Sequence, residues 1–509
     1  MKKFAKYLLV IFIVPLMLVC SGCYGKETVS IKDISKTDSV GVVDTYTVTY
    51  TNGKKEKFTI VNGEDGANLY NNITINDLYN QVKDSKPAGY TLIDFIDEYL
   101  DIQLDSTAVA SSRALRSAVS IFVEHQIAIP DYNNPIKYSP LEGYTYGVKN
   151  SIGWGAGAGV IYDIDKDNGD AYIITNYHVC YANSVNARDG IATRFTIYTY
   201  GAETIDMEDL YYLSYYNKDC KQYYNKYKYD AQGLPIIDYG YGAIDAEYVG
   251  GSEKYDIAVL KVTNSEVIKN SDCLAVDTYD SNLVTAGSNA IAVGNPDACG
   301  ISVTDGVVSV DSEYISVEIS DIAVVLREFR IDTPVYVGNS GGGLFDGFGR
   351  LIGIVNAKTP DTGIENMSYA IPSNIATRVA QLIIDTCDGV DRKMNRVLIG
   401  AKVETIGSKG CYDATTGLMR IKETVAVCGI ENKSVADNVG LEEGDIITSI
   451  SIIKPTETID IMIERSFTFV DAMLLVREGD CVRFNFIRDG FEGSATTSTL
   501  YSQNFIEIE

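Results

Sequence analysis

Three side chains of this chain are of the types that, brought together, turn a hydroxyl into a nucleophile: His178, Asp256 and Ser340. A serine hydroxyl attacks poorly at neutral pH unless an imidazole takes its proton and a carboxylate fixes the imidazole tautomer. Ser340 lies in the stretch Asp332-Thr333-Pro334-Val335-Tyr336-Val337-Gly338-Asn339-Ser340-Gly341-Gly342-Gly343-Leu344-Phe345. Glycines on both sides let the backbone turn sharply and bring main-chain N–H groups beside the hydroxyl. The N–H groups of Gly338 and Ser340, with that of Asn339 as a third candidate, would hold a developing oxyanion. Each residue alone has a plainer reading: Gly-Ser runs make turns, and an aspartate before a strand is a cap. Only His125 and His178 offer an imidazole, so the base has one rival, and two histidines argue against a histidine-based zinc site.

The elements that must position these groups read as short strands. His178 ends the apolar run Ala171-Tyr172-Ile173-Ile174-Thr175-Asn176-Tyr177-His178-Val179, Asp256 opens Ile257-Ala258-Val259-Leu260-Lys261-Val262, and Ser340 precedes Leu351-Ile352-Gly353-Ile354-Val355. Ala118–Val123, Gly153–Tyr162, Ala290–Pro296 and Gly306–Val310 add further β-type runs. Many short strands without intervening helices predict a mainly β barrel or sandwich. Asp105 to Arg113 reads as a polar linker, and Ile375 to Ile384 as a helix. Upstream, Thr45–Tyr50, Asn52-Gly53 and Phe58–Val61 predict a hairpin, and the apolar spacing in Leu92–Leu100 predicts a helix.

In order and in context, these segments resemble the trypsin-like serine proteases of the HtrA (DegP/DegS-like) family. The resemblance rests on Gly157-Ala158-Gly159-Val160-Ile161, Thr175-Asn176-Tyr177-His178-Val179, Asp256–Val262, Ala292-Val293-Gly294-Asn295-Pro296, Gly338-Asn339-Ser340-Gly341-Gly342 and Tyr369-Ala370-Ile371-Pro372. It implies a double β-barrel with Ser340 as nucleophile, His178 as base and Asp256 as its orienting acid, in a cleft between barrels. Gly343 stands where the family usually has proline. In such folds the base of the primary substrate pocket lies six residues before the nucleophile, at Pro334. No carboxylate is placed there to pair a lysine or arginine, so a small or apolar side chain is expected at the cleavage point. No cofactor and no metal are expected.

Residues 397 to about 500 resemble a PDZ domain. Val397-Leu398-Ile399-Gly400 fits its carboxylate-binding loop, with Arg396 beside it. Ser434-Val435-Ala436 and Gly440–Ile447 fit its middle, and Thr468–Val476 its groove helix, with Thr468 as cap. The domain plan is therefore 1–23 signal peptide, 24–112 accessory module and linker, 113–387 protease domain, 388–396 linker and 397–509 PDZ domain. A tyrosine-rich insertion, 209–241, interrupts the protease domain. As a surface loop it packs its own rings; as a contact site it meets a partner or the cell wall.

The N-terminus carries an address. A basic start, Met1–Lys6, leads into the apolar run Tyr7 to Val19 and then Cys20-Ser21-Gly22-Cys23. The run has signal-peptide length, and Ser-Gly-Cys resembles a bacterial lipobox with Cys23 as the lipidated residue. Eight later cysteines are scattered without a CxxC pair, which excludes a disulfide-stapled small domain. A net charge of -26 argues against nucleic acid, whose binders need a basic face. These readings describe an exported, membrane-anchored endopeptidase, and the resemblances imply action on unfolded proteins and binding of peptide C-termini. The family resemblance adds a homotrimer. A latent chaperone or peptide-binding protein remains the alternative, because a collapsed oxyanion hole would leave every triad residue in place.

Overall fold

Strand-forming runs rich in valine, isoleucine and tyrosine need partners on both edges, and closing a sheet on itself supplies them. The computed structural model describes residues 31–40, 43–50, 54–61, 106–139, 143–182, 190–203, 215–217, 222–224, 228–229, 235–237, 239–319, 322–358, 367–387, 394–413 and 418–508. The chain divides into two units, Met1–Ile102 and Gln103–Glu509. In the first, β1 (Ile31–Val40), β2 (Val43–Tyr50) and β3 (Lys55–Val61) form an antiparallel sheet in that order. The expected hairpin is the β2–β3 pair, in which Tyr46 faces Phe58. The expected helix at Leu92–Leu100, the signal peptide and Cys23 lie outside the described residues.

The second unit opens with α1 (Ser106–Leu115), where the sequence suggests a polar linker. Ala110 and Ala114, one turn apart, are fully buried, and Arg113 Nη1 donates to Phe348 O (3.2 Å). Alanine carries little hydropathy, so a helix that docks by close approach of small side chains looks polar in sequence.

Barrel one joins β4 (Ala118–Ser139), β5 (Gly143–Asp165), β6 (Asp170–Thr175), β7 (Arg194–Thr199), β12 (Ile244–Ser252) and β13 (Ile257–Val262). It closes through the β7–β12 pair. Between β7 and β12 the tyrosine-rich insertion holds two short strand pairs among the described residues: β8 (Tyr215–Asn217) with β9 (Gln222–Tyr224), and β10 (Lys228–Tyr229) with β11 (Pro235–Ile236). Tyr239 leaves that insertion for the barrel surface, where it is buried and donates to Glu124 Oε1 (2.5 Å). Tyr241 is almost fully exposed. Beyond Glu124, β4 pairs among the described residues only with β5, so the two strands leave the barrel as a two-stranded ribbon.

Barrel two joins β14 (Asn289–Gly294), β15 (Ser302–Ile319), β16 (Ile322–Ile331), β17 (Gly343–Phe345), β18 (Leu351–Lys358) and β19 (Ser368–Pro372). A single core runs where the barrels meet: Val160, Ile174, Ile257 and Val259 from one, Ile291, Phe345, Ile354 and Ile371 from the other. Helix α3 (Ser373–Thr386) seals it with Ile375, Ala376, Val379, Ala380 and Ile383, spaced three and four apart. Each such valine or isoleucine contributes roughly 1.5–3 kcal/mol on leaving water.

The C-terminal part is a five-strand path, β21 (Ala401–Asp413), β22 (Leu418–Ile430), β23 (Ile446–Ile453), β25 (Cys481–Arg488) and β26 (Phe491–Thr496), with β24 (Thr458–Met462) on β23. The expected 388–396 linker is described only from Met394. There β20 (Met394–Val397) pairs with β27 (Phe505–Ile508), so Arg396 is a strand residue. Ser434 caps the one-turn α4 (Val435–Asn438). Helix α5 (Ser466–Ala472) starts two residues before the predicted cap: Arg465 is the N-cap, and Thr468 is buried inside the first turn. This part is bolted to barrel two by a buried Arg327–Asp471 ion pair and by Arg465 Nη1 on Asp311 Oδ2 (2.7 Å).

Candidate active site

Strand β6 ends at Thr175, and His178 sits one turn later in α2 (Tyr177–Cys180) rather than on the strand itself. Two side chains hold this change of direction. Thr175 Oγ1 donates to Ala158 O (2.8 Å), and Asn176 Nδ2 donates to Asp256 O (2.8 Å). Asp256 occupies the left-handed region (φ 50°, ψ 42°) just before β13. That conformation costs most side chains roughly 1–2 kcal/mol and is tolerated best by Asp, Asn and Gly.

The turn aims the buried Asp256 carboxylate at the imidazole. His178 N–H donates to Oδ1 (3.0 Å), and His178 Nδ1–H to Oδ2 (2.7 Å). With Nδ1 committed to the carboxylate, Nε2 is left for a proton from a nucleophile. Burial disfavours the imidazolium, but the Asp256 charge and its hydrogen bond outweigh burial and raise the His178 pKa. His125, the other histidine, is buried on β4 with its pKa lowered by desolvation, and takes no part in this constellation. Cys180, two residues after His178, is fully buried; burial and then the Asp256 charge push its thiol pKa far up. It is not a competing nucleophile.

Barrel two delivers Ser340. Gly338 has φ +94°, and a Cβ there would collide with Asn295 O. Gly341 has φ +83°, and a Cβ there would strike Thr175 Oγ1 and Ala158 O. Ser340 O accepts from Ala158 N (2.9 Å), which ties the loop to barrel one. Asn339 N–H donates to Tyr336 O (3.0 Å), so of the three expected oxyanion donors Asn339 is spent inside its own turn. The N–H groups of Gly338 and Ser340 have no acceptor among the described residues. Ser340 Oγ donates to Asn356 O (3.0 Å), and no hydrogen bond joins it to His178 among the described residues.

Two residues beneath the serine carry no motif in the sequence. Asn356, near the end of β18, accepts the Ser340 hydroxyl on its carbonyl, while its amide Nδ2 donates to Glu328 Oε1 on β16. Glu328 is fully buried, and its Oε2 has no hydrogen-bond partner. Its only sequence signal is an adjacent Arg327-Glu328 pair inside the apolar strand Ile322–Ile331.

Pro334 lies partly exposed in the turn before the serine loop, between buried Thr333 and Val335, and its carbonyl accepts from Thr304 Oγ1 (2.8 Å). A second concavity, about 390 Å³, lies between the Val397–Ala401 segment and α5, lined also by Lys402, Phe469, Val470 and Met473. Of the four expected loop residues, Val397 pairs with Phe505 in a strand and Leu398 N–H donates to Asn504 O (2.8 Å). The N–H groups of Ile399 and Gly400 have no acceptor among the described residues. Arg396 also lines the groove, and its Nη1 donates to Tyr255 OH (2.7 Å).

Residues 157–354 match the trypsin-like peptidase domain family. The serine protease HtrA-like of Staphylococcus aureus (strain MRSA252) is 32% identical over 209 residues, 39% of this chain and 26% of that protein. The chain thus spans about a quarter of the length of the Staphylococcus aureus relatives it matches. The serine protease Do-like HtrA of Lactococcus lactis subsp. lactis (strain IL1403) is 26% identical over 361 residues, 69% of this chain and 72% of that protein. Among solved structures, the HtrA-type protease AlgW with decapeptide superposes with a TM-score of 0.42 at 20% identity, over 77% of this chain and 97% of that one.

Proposed function

We propose, from the premise that this chain belongs to the HtrA-like, trypsin-type serine proteases, that it is a serine endopeptidase working through an acyl-enzyme. The observation that carries the reading is the His178 Nδ1–Asp256 Oδ2 bond set beside a serine loop whose Gly338 and Ser340 N–H groups are unspent. Ser340 Oγ leaves Asn356 O by a rotation about χ1, gives its proton to His178 Nε2 and bonds to the scissile carbonyl carbon. The carbonyl oxygen takes the negative charge and is held by the Gly338 and Ser340 N–H groups. Asp256 stabilises the imidazolium, which returns the proton to the leaving amine. Water then repeats the sequence on the acyl-enzyme.

The finer reading is an exported enzyme, lipid-anchored through Cys23, that cleaves unfolded or misfolded envelope proteins as a homotrimer. Pro334 at the pocket base favours small or apolar residues at the cleavage point. The C-terminal part acts as a PDZ domain, taking a peptide carboxylate on the Ile399 and Gly400 N–H groups. β21 pairs only with β22 among the described residues, which leaves an edge for the peptide to extend. A second reading, a latent enzyme, is favoured by one observation: the Ser340 hydroxyl rests on strand β18.

Cleavage of an unfolded casein substrate by wild type and Ser340→Ala, with and without C-terminal peptides, tests both. Turnover by wild type alone supports the endopeptidase, and turnover only with peptide supports latency. No turnover, and no labelling of Ser340 by a fluorophosphonate probe under either condition, would overturn the reading.

A further inference from the structure

The nucleophile's resting partner is itself held from below by a carboxyl group that the mechanism above does not use. Asn356 is the hub: its carbonyl takes the Ser340 hydroxyl, and its side-chain amide is taken by Glu328 Oε1. Strand alternation explains how β16 presents an acid here. Phe329 and Ile331 enter the barrel-two core, so Glu328 emerges on the opposite face, within electrostatic reach of Asp256. An acid that is fully buried and keeps one oxygen unpartnered is costly to hold there. Among the described residues, its side chain's one hydrogen bond runs to the residue on which the nucleophile rests.

We propose that Glu328 is a positioning residue for catalysis: through the Asn356 amide it fixes the carbonyl that holds Ser340 Oγ, and so sets the balance of the nucleophile between strand β18 and His178. This rests on the endopeptidase reading. Losing the Glu328 acceptor leaves a buried amide without a partner and frees the Asn356 carbonyl to move.

The charge state of Glu328 gives the role a signature. Burial, only partly offset by the Asn356 hydrogen bond and reinforced by the Asp256 charge, raises its pKa to about 8. The other groups around it leave it without a cation of its own. Tyr369 on β19 interacts with it electrostatically. Glu313, its cross-strand neighbour on β15, is paired with Arg330; Arg327 is paired with Asp471; Tyr255 accepts from Arg396. Ionising Glu328 therefore adds a second anion near Asp256, and an added anion favours the imidazolium that His178 becomes when it takes the serine proton. Turnover in wild type rises through this ionisation, above the limb set by His178.

The test uses the full chain and two variants. Glu328→Gln keeps an acceptor for Asn356 and never ionises; Glu328→Leu removes the acceptor. Expected for Glu328→Leu is a fall in kcat of about tenfold or more with KM within about twofold, and for Glu328→Gln near wild-type kcat at pH 7 without the upper limb near pH 8. Because the chain has only two histidines, 15N imidazole signals report His178 without any turnover. A second inflection of the His178 shift near pH 8, present in wild type and absent in Glu328→Gln, supports the role even in a protein that cleaves nothing. The role is overturned if Glu328→Gln keeps that inflection, or if folded Glu328→Leu turns over like wild type. Should Glu328→Leu not fold, the Glu328→Gln titration decides alone.

Discussion

The two halves of the proposed catalytic centre come from different barrels and stand in different states. In the barrel-one half, Asp256 already holds both the backbone and the ring of His178. In the barrel-two half, the oxyanion donors are open but the Ser340 hydroxyl is engaged with Asn356 O. The first half depends on two neighbouring turns on adjacent strands, β6 and β13, and is over-determined by Thr175 and Asn176. The second depends on one torsion of one small side chain, whose alternatives differ by about a hydrogen bond, roughly 1 kcal/mol. Acid and base are preorganised; the nucleophile is poised.

The largest way to break this contrast is in barrel one. Asp256→Asn keeps the left-handed turn but offers His178 Nδ1 the wrong partner, and kcat should fall by about 10⁴. Steady-state kinetics checks this, with unchanged thermal unfolding as the control. Gly338→Ala attacks the other half: a Cβ collides with Asn295 O at a positive φ, so the hole loses a donor and kcat falls by about 10²–10³. Comparable loss of fluorophosphonate labelling at Ser340 would locate the damage.

Acid sharpens the comparison next. The base must be neutral, and the His178 pKa is raised above its ordinary value. Thus kcat/KM falls about tenfold per pH unit below that raised pKa, sooner on acidification than for an isolated imidazole. Stability runs the other way for Glu328. Its pKa rises from 4.5 to about 8 in the fold, so the folded state binds the extra proton between those values. Stability is full below about pH 4.5 and declines up to about pH 8, at most about 1.4 kcal/mol per unit. Chemical denaturation of Glu328→Gln across that range should show a flatter profile. The smallest effect is expected from Cys180→Ala, which removes a buried thiol and leaves kcat within about threefold.

The candidate triad residues, of which His178 and Asp256 are hydrogen-bonded, stood out because such chemistry needs rare residue types in recognisable frames: one of two histidines, a glycine-bracketed serine, an aspartate opening a strand. The barrels followed from the β-type runs and the family frame. What could not be read had no local signature. Helix α1 hides in a polar-looking stretch because its buried face is Ala110 and Ala114. Arg396 looked like a linker charge until β20 paired with β27, a contact more than a hundred residues away in sequence. Glu328 and Asn356 meet across β19, and only the β16–β19–β18 strand order brings them together. The role of Asn339 turned on a single peptide orientation, which composition does not encode.

The ribbon formed by the outer parts of β4 and β5 has a consequence for solubility. Outside the barrel these two long strands form ladders only with each other among the described residues, and they expose Ile136, Tyr138 and Val148, a template for a strand from another molecule. Pro130 and Pro135 remove donors from one edge, and register shifts around Pro135 break its flatness; Lys137 and Lys149 add like charge to both strands. The hairpin can thus carry apolar side chains into solvent while resisting sheet-by-sheet aggregation, and replacing its two prolines with threonine would remove that protection while leaving the catalytic cleft untouched.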